Sequence, residues 1–353
     1  MSAVEIDRVG LEDEGWAAVC NDPQRPADVA SIMEDLMATA VGGKYSLEPG
    51  PGSIEYVGNP EPTVSAAVEN IVALHANAQS RGLFVRYNHW SPFYGQEGKN
   101  VLTTPRYEAL WKATQKEALS HGYTLEQWAT IQLMRYRAAL HVSVSVKGAE
   151  VRADNVDPRM IFLTNVISLV GPGVACALCR KYDQDNKGHL GLWHGWAQPG
   201  RFSRYGQWFK DFPDFRSHFQ GLTRLIKQTD DPWEYSKSGA GWEPDLQTPL
   251  VWGNSSDEGS GWWPLCRLRS NYGTAEIRLL PSWPIQTLDA VTTDLVGFVV
   301  HVLSLAPSTP FEDCEEFMAS REWTDLCDYR FEGGVRAIPM GWNETLWRQC
   351  AFN

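Results

Sequence analysis

The run from Ile161 to Cys179 is the most hydrophobic stretch of the chain, and such a run has to be withdrawn from water. It approaches the ~20 residues needed to cross a bilayer. However, Asn165 and Gly171-Pro172-Gly173 interrupt it, and charged segments flank it closely. A buried core helix, or two short ones, accommodates those residues better than a membrane span. With 353 residues, 43% of them apolar and 12% aromatic, the chain has ample material for a substantial core, and disorder is excluded. A formal net charge of −12 argues against wholesale binding to nucleic acid or to an anionic membrane.

Seven cysteines, at 20, 176, 179, 266, 314, 327 and 350, are an odd number with no framework spacing. The N-terminal MSAVEIDRVG lacks the charged-then-apolar pattern of a leader. Together they predict reduced thiols in a cytoplasmic protein. Cys176-x-x-Cys179 is a lone pair with no second pair to complete a zinc site, and reads as core packing.

Several segments alternate with a period of two, so each can offer one polar face. In AVEIDRV at 3–9, Glu5 and Asp7 share a face opposite Val4 and Ile6, as in a short, exposed edge strand. In SLEPGPGSIEYVG at 46–58, Glu48 and Glu55 flank a Pro-Gly-Pro-Gly turn, and Ile54 and Tyr56 alternate with Ser53, Glu55 and Val57. Those two acids are either surface groups on a solvated loop or inward-pointing carboxylates that need an arginine, a metal ion or water as partner. LHVSVSV at 140–146 sets His141, Ser143 and Ser145 against Val142, Val144 and Val146. Residues 265–280 predict a hairpin turning near Asn271–Gly273, with Glu276 and Arg278 on one face.

Helical periodicity marks 26–40, with Asp28 near its start, and 63–81, whose stripe is Val64, Val68, Ile71, Val72, Leu74 and Ala78. Further helices are expected at 104–120, 216–226 and 288–305, with short pieces at 312–321 and 343–350. Asp157 is placed to cap the long apolar helix. Residues 181–219 are rich in aromatics, glycine and charge, including Trp193, Trp196 and Trp208. A connection of that length fits a lid or binding loop.

Four strand-like segments therefore present Glu5/Asp7, Glu48/Glu55, His141 and Glu276/Arg278. Clustered carboxylates are what Mg²⁺ requires, since hard cations take oxygen ligands. Read singly, each has a plain structural alternative, a core histidine or an intrastrand ion pair.

In order along the chain, these segments resemble the glutamate–cysteine ligase type 2 family, which includes the carboxylate–amine ligases with a glutamine synthetase-like fold. AVEID at 3–7 resembles the opening GVExE strand. SLEPGPGSIEYVGNP at 46–60 is similar to SLEPGG-x-x-E-L-S-G, with one residue inserted before Glu55. TPRY at 104–107 resembles a G-R-Y helix start, LHVSV at 140–144 the HVHV strand, and GTAEIRLLPSWP at 273–284 the GT-x-E-x-R segment.

The resemblance implies an α+β fold: a curved antiparallel sheet forming a funnel, with helices on its convex side. It implies a catalytic domain over 1–305, with 181–262 as lid or substrate segment and 306–353 as an extension packed on it. Glu5, Glu48, Glu55 and Glu276 take the places of ligands to Mg²⁺, or Mn²⁺ in its stead, with Asp7 one methylene shorter than the family's Glu. His141, Arg278 and Glu276 would contact ATP, and Arg278, with Arg267, would neutralise the transferring phosphoryl group. Arg106 and Tyr107 fall at the substrate, and Trp193 in the lid would shield it from water. The implied reaction is ATP-dependent amide formation through an acyl phosphate, joining a carboxylate such as glutamate to an amine or amino acid. After the long apolar helix, CALCRKYDQDNKGHLGLWHGWAQPG departs from the family's arginine-rich stretch, which leaves both substrates open. Glutamate–cysteine ligase proper, a phosphotransferase of related fold and a non-catalytic member are the alternatives.

Overall fold

In the structure, a computed structural model, residues 4–48, 50–86, 138–152, 154–182, 208–215, 265–269 and 272–340 are described. The helices expected at 104–120, 216–226 and 343–350, and with them Arg106, Tyr107 and Trp193, lie outside the described residues.

Among the described residues, eight strands form one mixed-order sheet in which all the pairings are antiparallel. They are β1 (Ile6–Val19), β2 (Asp22–Pro26), β3 (Gly43–Leu47), β4 (Ser53–Gly58), β5 (Leu83–Arg86), β6 (Ala139–Val146), β7 (Cys266–Arg269) and β8 (Thr274–Pro281). The order across the sheet is β3-β4-β1-β6-β8-β7, with β2 and β5 also pairing with β1. The short acidic edge strand expected at 3–9 is thus the start of a 14-residue central strand. The acidic alternation ends at Asp7, but the apolar positions continue through Val9, Leu11 and Ala17, and burial of those side chains extends the strand inward.

The helices are α1 (Val29–Ala38), α2 (Val64–Ser80), α3 (Pro158–Lys181), α4 (Ile285–Ser304), α5 (Cys314–Met318) and α6 (Arg321–Cys327). Asp28, Thr63 and Asp157 each accept a backbone N–H at the start of α1, α2 and α3, which satisfies donors that a helix leaves unpaired. The hydrophobic run at 161–179 forms part of a single helix, and α3 continues through Pro172 although that residue lacks an N–H. Its buried Asn165 is matched in both directions by Phe209, donating to the carbonyl at 2.8 Å and accepting from the N–H at 3.0 Å. Where α3 crosses β8 the two are in close contact: a Cβ added at Gly171 would lie 2.6 Å from Leu279 Cδ2. Among the described residues two helices, α3 and α4, are long and apolar enough to span a membrane. The windows that qualify are 89% and 56% buried within the protein, as core helices would be.

Helix α2 packs on β4, β5, β1 and β3, and α3 on β7 and β8, while α4 bridges α2 and α3. The core therefore lies on the face that carries Leu11, Ile54, Tyr56, Val142, Ile277 and Leu268. On α2 Val68, Ile71, Leu74 and Ala78 of the expected stripe are buried, but Val72 is exposed and His75 joins the buried side. Phe317, Leu326 and Phe331 from the C-terminal segment join the same core.

Candidate active site

The other face of the sheet is polar, and strand register lines up its residues. Glu14 is paired with Glu55, Glu12 with His141, Gly10 with Ser143, Ser143 with Glu276, and Glu276 with Arg267. Because side chains alternate along a strand, these groups point to the same side, away from α2 and α3. Ser46 opposes Glu55, and Glu48, two residues on, is close enough to raise the carboxyls of Glu14 and Glu55 electrostatically. The turn between them is closed by Ser53, which donates to the Gly50 carbonyl at 2.7 Å, with Gly52 at a φ of 67°.

Two sets of potential ligand atoms result: Glu14, Glu55 and His141, and Glu12, His141 and Glu276, with the atoms of each set within 4.8 Å of one another. Two ionised carboxylates that close repel by roughly 3 kcal/mol at the effective dielectric of such a site. Burial, then Glu48 and Glu12, pushes Glu14 well above the usual carboxylate range, although Ala139 N–H donates to it at 2.8 Å. Burial, then Glu12, Glu48 and Glu14, does the same to Glu55. Among the described residues, no lysine or arginine forms an ion pair with Glu14 or Glu55. A divalent cation would supply the missing charge, and oxygen donors with one imidazole suit Mg²⁺ or Mn²⁺.

Glu276 stands in the opposite condition. It is fully buried and forms ion pairs with both Arg269 and Arg278. Burial alone would raise its carboxyl, but Arg278, Arg269 and Arg267 together hold it well below the usual range. It organises guanidinium groups more than it seeks a cation. His141 lies between the two halves, its Nδ1 3.2 Å from Glu12 Oε2. Burial and then Arg278 lower its pKa, so that near neutral pH it is an uncharged imidazole able to offer a lone pair.

Of the residues singled out from sequence, Glu48, Glu55, His141, Glu276, Arg267 and Arg278 share this face. Glu5 and Asp7 do not join them. Glu5 is paired with Lys147 at 3.0 Å in solvent, both side chains about two-thirds exposed, and Asp7 is exposed. Their place on β1 is occupied by Glu12 and Glu14, which sequence reading missed. The available signal was GLEDEGW at 10–16, which matches the GVExE pattern better than AVEID does. Arg269, also missed, is two residues beyond Arg267 and therefore on the same face. It stacks over the Tyr272 ring at 4.8 Å.

No protein-family profile matches the sequence, and no curated protein matches it. Among solved structures, a glutamate–cysteine ligase from Francisella tularensis in complex with AMP is similar over 95% of this chain and 73% of its own, at 11% identity and a TM-score of 0.44. A bifunctional glutathione synthetase from Pasteurella multocida is similar over 93% of this chain and 42% of its own, at 11% identity and a TM-score of 0.38. At that depth of likeness neither transfers an activity to this chain.

Proposed function

We propose that this chain is an ATP-dependent carboxylate–amine ligase that works in the funnel formed by the open face of its sheet. The observation that carries the reading is the adjacency, on one face, of a carboxylate group short of positive charge and a guanidinium group gathered on Glu276. A cation site beside an anion site is what a metal–nucleotide complex requires. The order of the sequence motifs favours the ligase over other nucleotide-using enzymes.

Glu14, Glu55 and His141 would hold a divalent cation, with Glu12 and Glu48 alongside. The bound cation would screen the phosphate oxygens of ATP so that an anionic nucleophile can approach. Arg278 and Arg267 would point guanidinium groups at the phosphoryl group in flight, and Glu276 would fix the direction of Arg278. The substrate carboxylate, with glutamate the candidate, would attack the γ-phosphorus and release ADP. An amine would then attack the acyl carbon, phosphate would leave with the C–O electron pair, and the amine would lose a proton. Neutral His141, between Glu12 and the arginines, would share in orienting the phosphates.

The test is a screen of amino acids and amines with Mg–ATP, following ADP, phosphate and the condensed mass together. Equal amounts of ADP, phosphate and amide product are expected for one pair of substrates. ADP with a stable phosphorylated product and no free phosphate would instead identify a phosphotransferase. Tight ATP binding without turnover across the panel would point to a non-catalytic member.

A further inference from the structure

The helix-packed face of the sheet carries a polar cluster that this chemistry does not use. Asp13 lies between Glu12 and Glu14 on β1, yet its side chain points the other way and is fully buried. His75 of α2 brings Nε2 to 3.1 Å from Asp13 Oδ2, and the Ser282 hydroxyl donates to Oδ1 at 3.2 Å. The His75 ring stacks on Tyr56 with centroids 3.7 Å apart, and Tyr56 meets Tyr45 edge-on at 5.7 Å.

Each contact reaches a different strand of the site. Asp13 adjoins both β1 carboxylates, Tyr56 follows Glu55 on β4, and Tyr45 lies on β3, which leads to Glu48. Ser282 directly follows β8, which carries Glu276 and Arg278. Core packing does not call for an acid here. Leucine at 13 would continue the apolar series of Val9, Leu11 and Ala17, and a buried carboxylate is costly to desolvate. Meanwhile the opposite face holds like charges that would move apart if the strands were free to shift.

We propose that Asp13, His75 and Ser282 are positioning residues that hold β1, β4 and β8 at the spacing at which Glu12, Glu14 and Glu55 bind a divalent cation. The inference rests on the reading of that group as a cation site. Hydrogen bonds one layer behind metal ligands fix the direction of those ligands, and their loss typically lowers metal affinity by ~10–100-fold.

Direct Mn²⁺ binding to the full chain, measured by calorimetry or electron paramagnetic resonance without substrates, tests it. His75→Leu is expected to weaken binding by about tenfold or more, with His75→Gln, which retains a donor, recovering most of the loss. Ser282→Ala is the milder variant should His75→Leu fail to fold, and is expected to weaken binding in the same direction. Leu326→Ala, a cavity in α6, controls for general destabilisation and should lower thermal stability while leaving Mn²⁺ affinity unchanged. Wild-type affinity in both His75→Leu and Ser282→Ala, or an equal loss in Leu326→Ala, overturns the positioning role. If wild type does not bind Mn²⁺, or Glu55→Gln binds it equally well, the cation site itself falls and the inference with it.

Discussion

The two halves of the open face solve the problem of buried charge in opposite ways. On β1 and β4 and just past β3, four carboxylates sit together with no lysine or arginine paired to Glu14 or Glu55 among the described residues, and burial and the neighbouring carboxylates favour the protonated forms of Glu14 and Glu55. On β7 and β8, one carboxylate is enclosed by three guanidinium groups, which keep it ionised despite its burial. On the proposed reading a cation would complete the first half. In the second, Arg269 and Arg278 already give Glu276 its counter-charge. On that reading the labour is divided between them: Glu12, Glu14 and Glu55 would hold the cation, and Glu276 would orient the arginines.

The largest effect expected from breaking this division is at Glu55. Glu55→Gln should remove cation-dependent ATP turnover while leaving the circular dichroism spectrum unchanged, and residual activity near wild type would contradict the assignment. Next, Arg278→Ala should lower kcat by on the order of 10²–10³-fold, the usual cost of losing one group aimed at developing charge, with the affinity for Mn²⁺ retained. Glu276→Gln should act chiefly on stability, by about 3 kcal/mol in denaturant titration, because it leaves buried guanidinium groups without their counter-charge. An effect of Glu276→Gln on Mn²⁺ affinity as large as that of Glu55→Gln would erase the contrast between the halves.

The smallest effect is a pH slope. Glu14 and Glu55 have folded-state pKa values raised above the ordinary 4.5. Between that value and the raised ones, the folded state therefore binds more protons than the unfolded state. The contribution of these groups to stability falls as pH rises through that window. Thermal melts of the metal-free protein should show this loss, Glu55→Gln should flatten it, and saturating Mn²⁺ should abolish it.

The arginine half, Arg269 apart, was legible in the sequence, and half of the acidic side was not. Glu276 and Arg278 alternate with Ala275 and Ile277, and His141 with Leu140 and Val142, so a period of two reveals their face directly. Glu55 is read the same way between Ile54 and Tyr56. Glu12 and Glu14 escape because the residue between them is also acidic, and Glu12-Asp13-Glu14 reads as a charged run. What makes it a strand with two distinct faces is His75, 62 residues away, and Ser282, 269 residues away. The cleaner alternation at 3–7 drew the motif to Glu5 and Asp7, where solvent and Lys147 meet the charge. The long apolar run and the caps of α1 and α3 depend on neighbours within a few residues and were readable for that reason.

The contact between Gly171 and Leu279 extends the site to the far side of the sheet. Leu279 adjoins Arg278 in β8 and points to the opposite face, so the thickness of the layer beneath β8 sets how high Arg278 stands above it. A methyl group at 171 would meet Leu279 Cδ2 at 2.6 Å, so either the Leu279 side chain would turn or β8 would lift. The bed on which the Arg278 strand rests is thus shaped by a residue that touches neither guanidinium nor carboxylate, and by the absence of a side chain there.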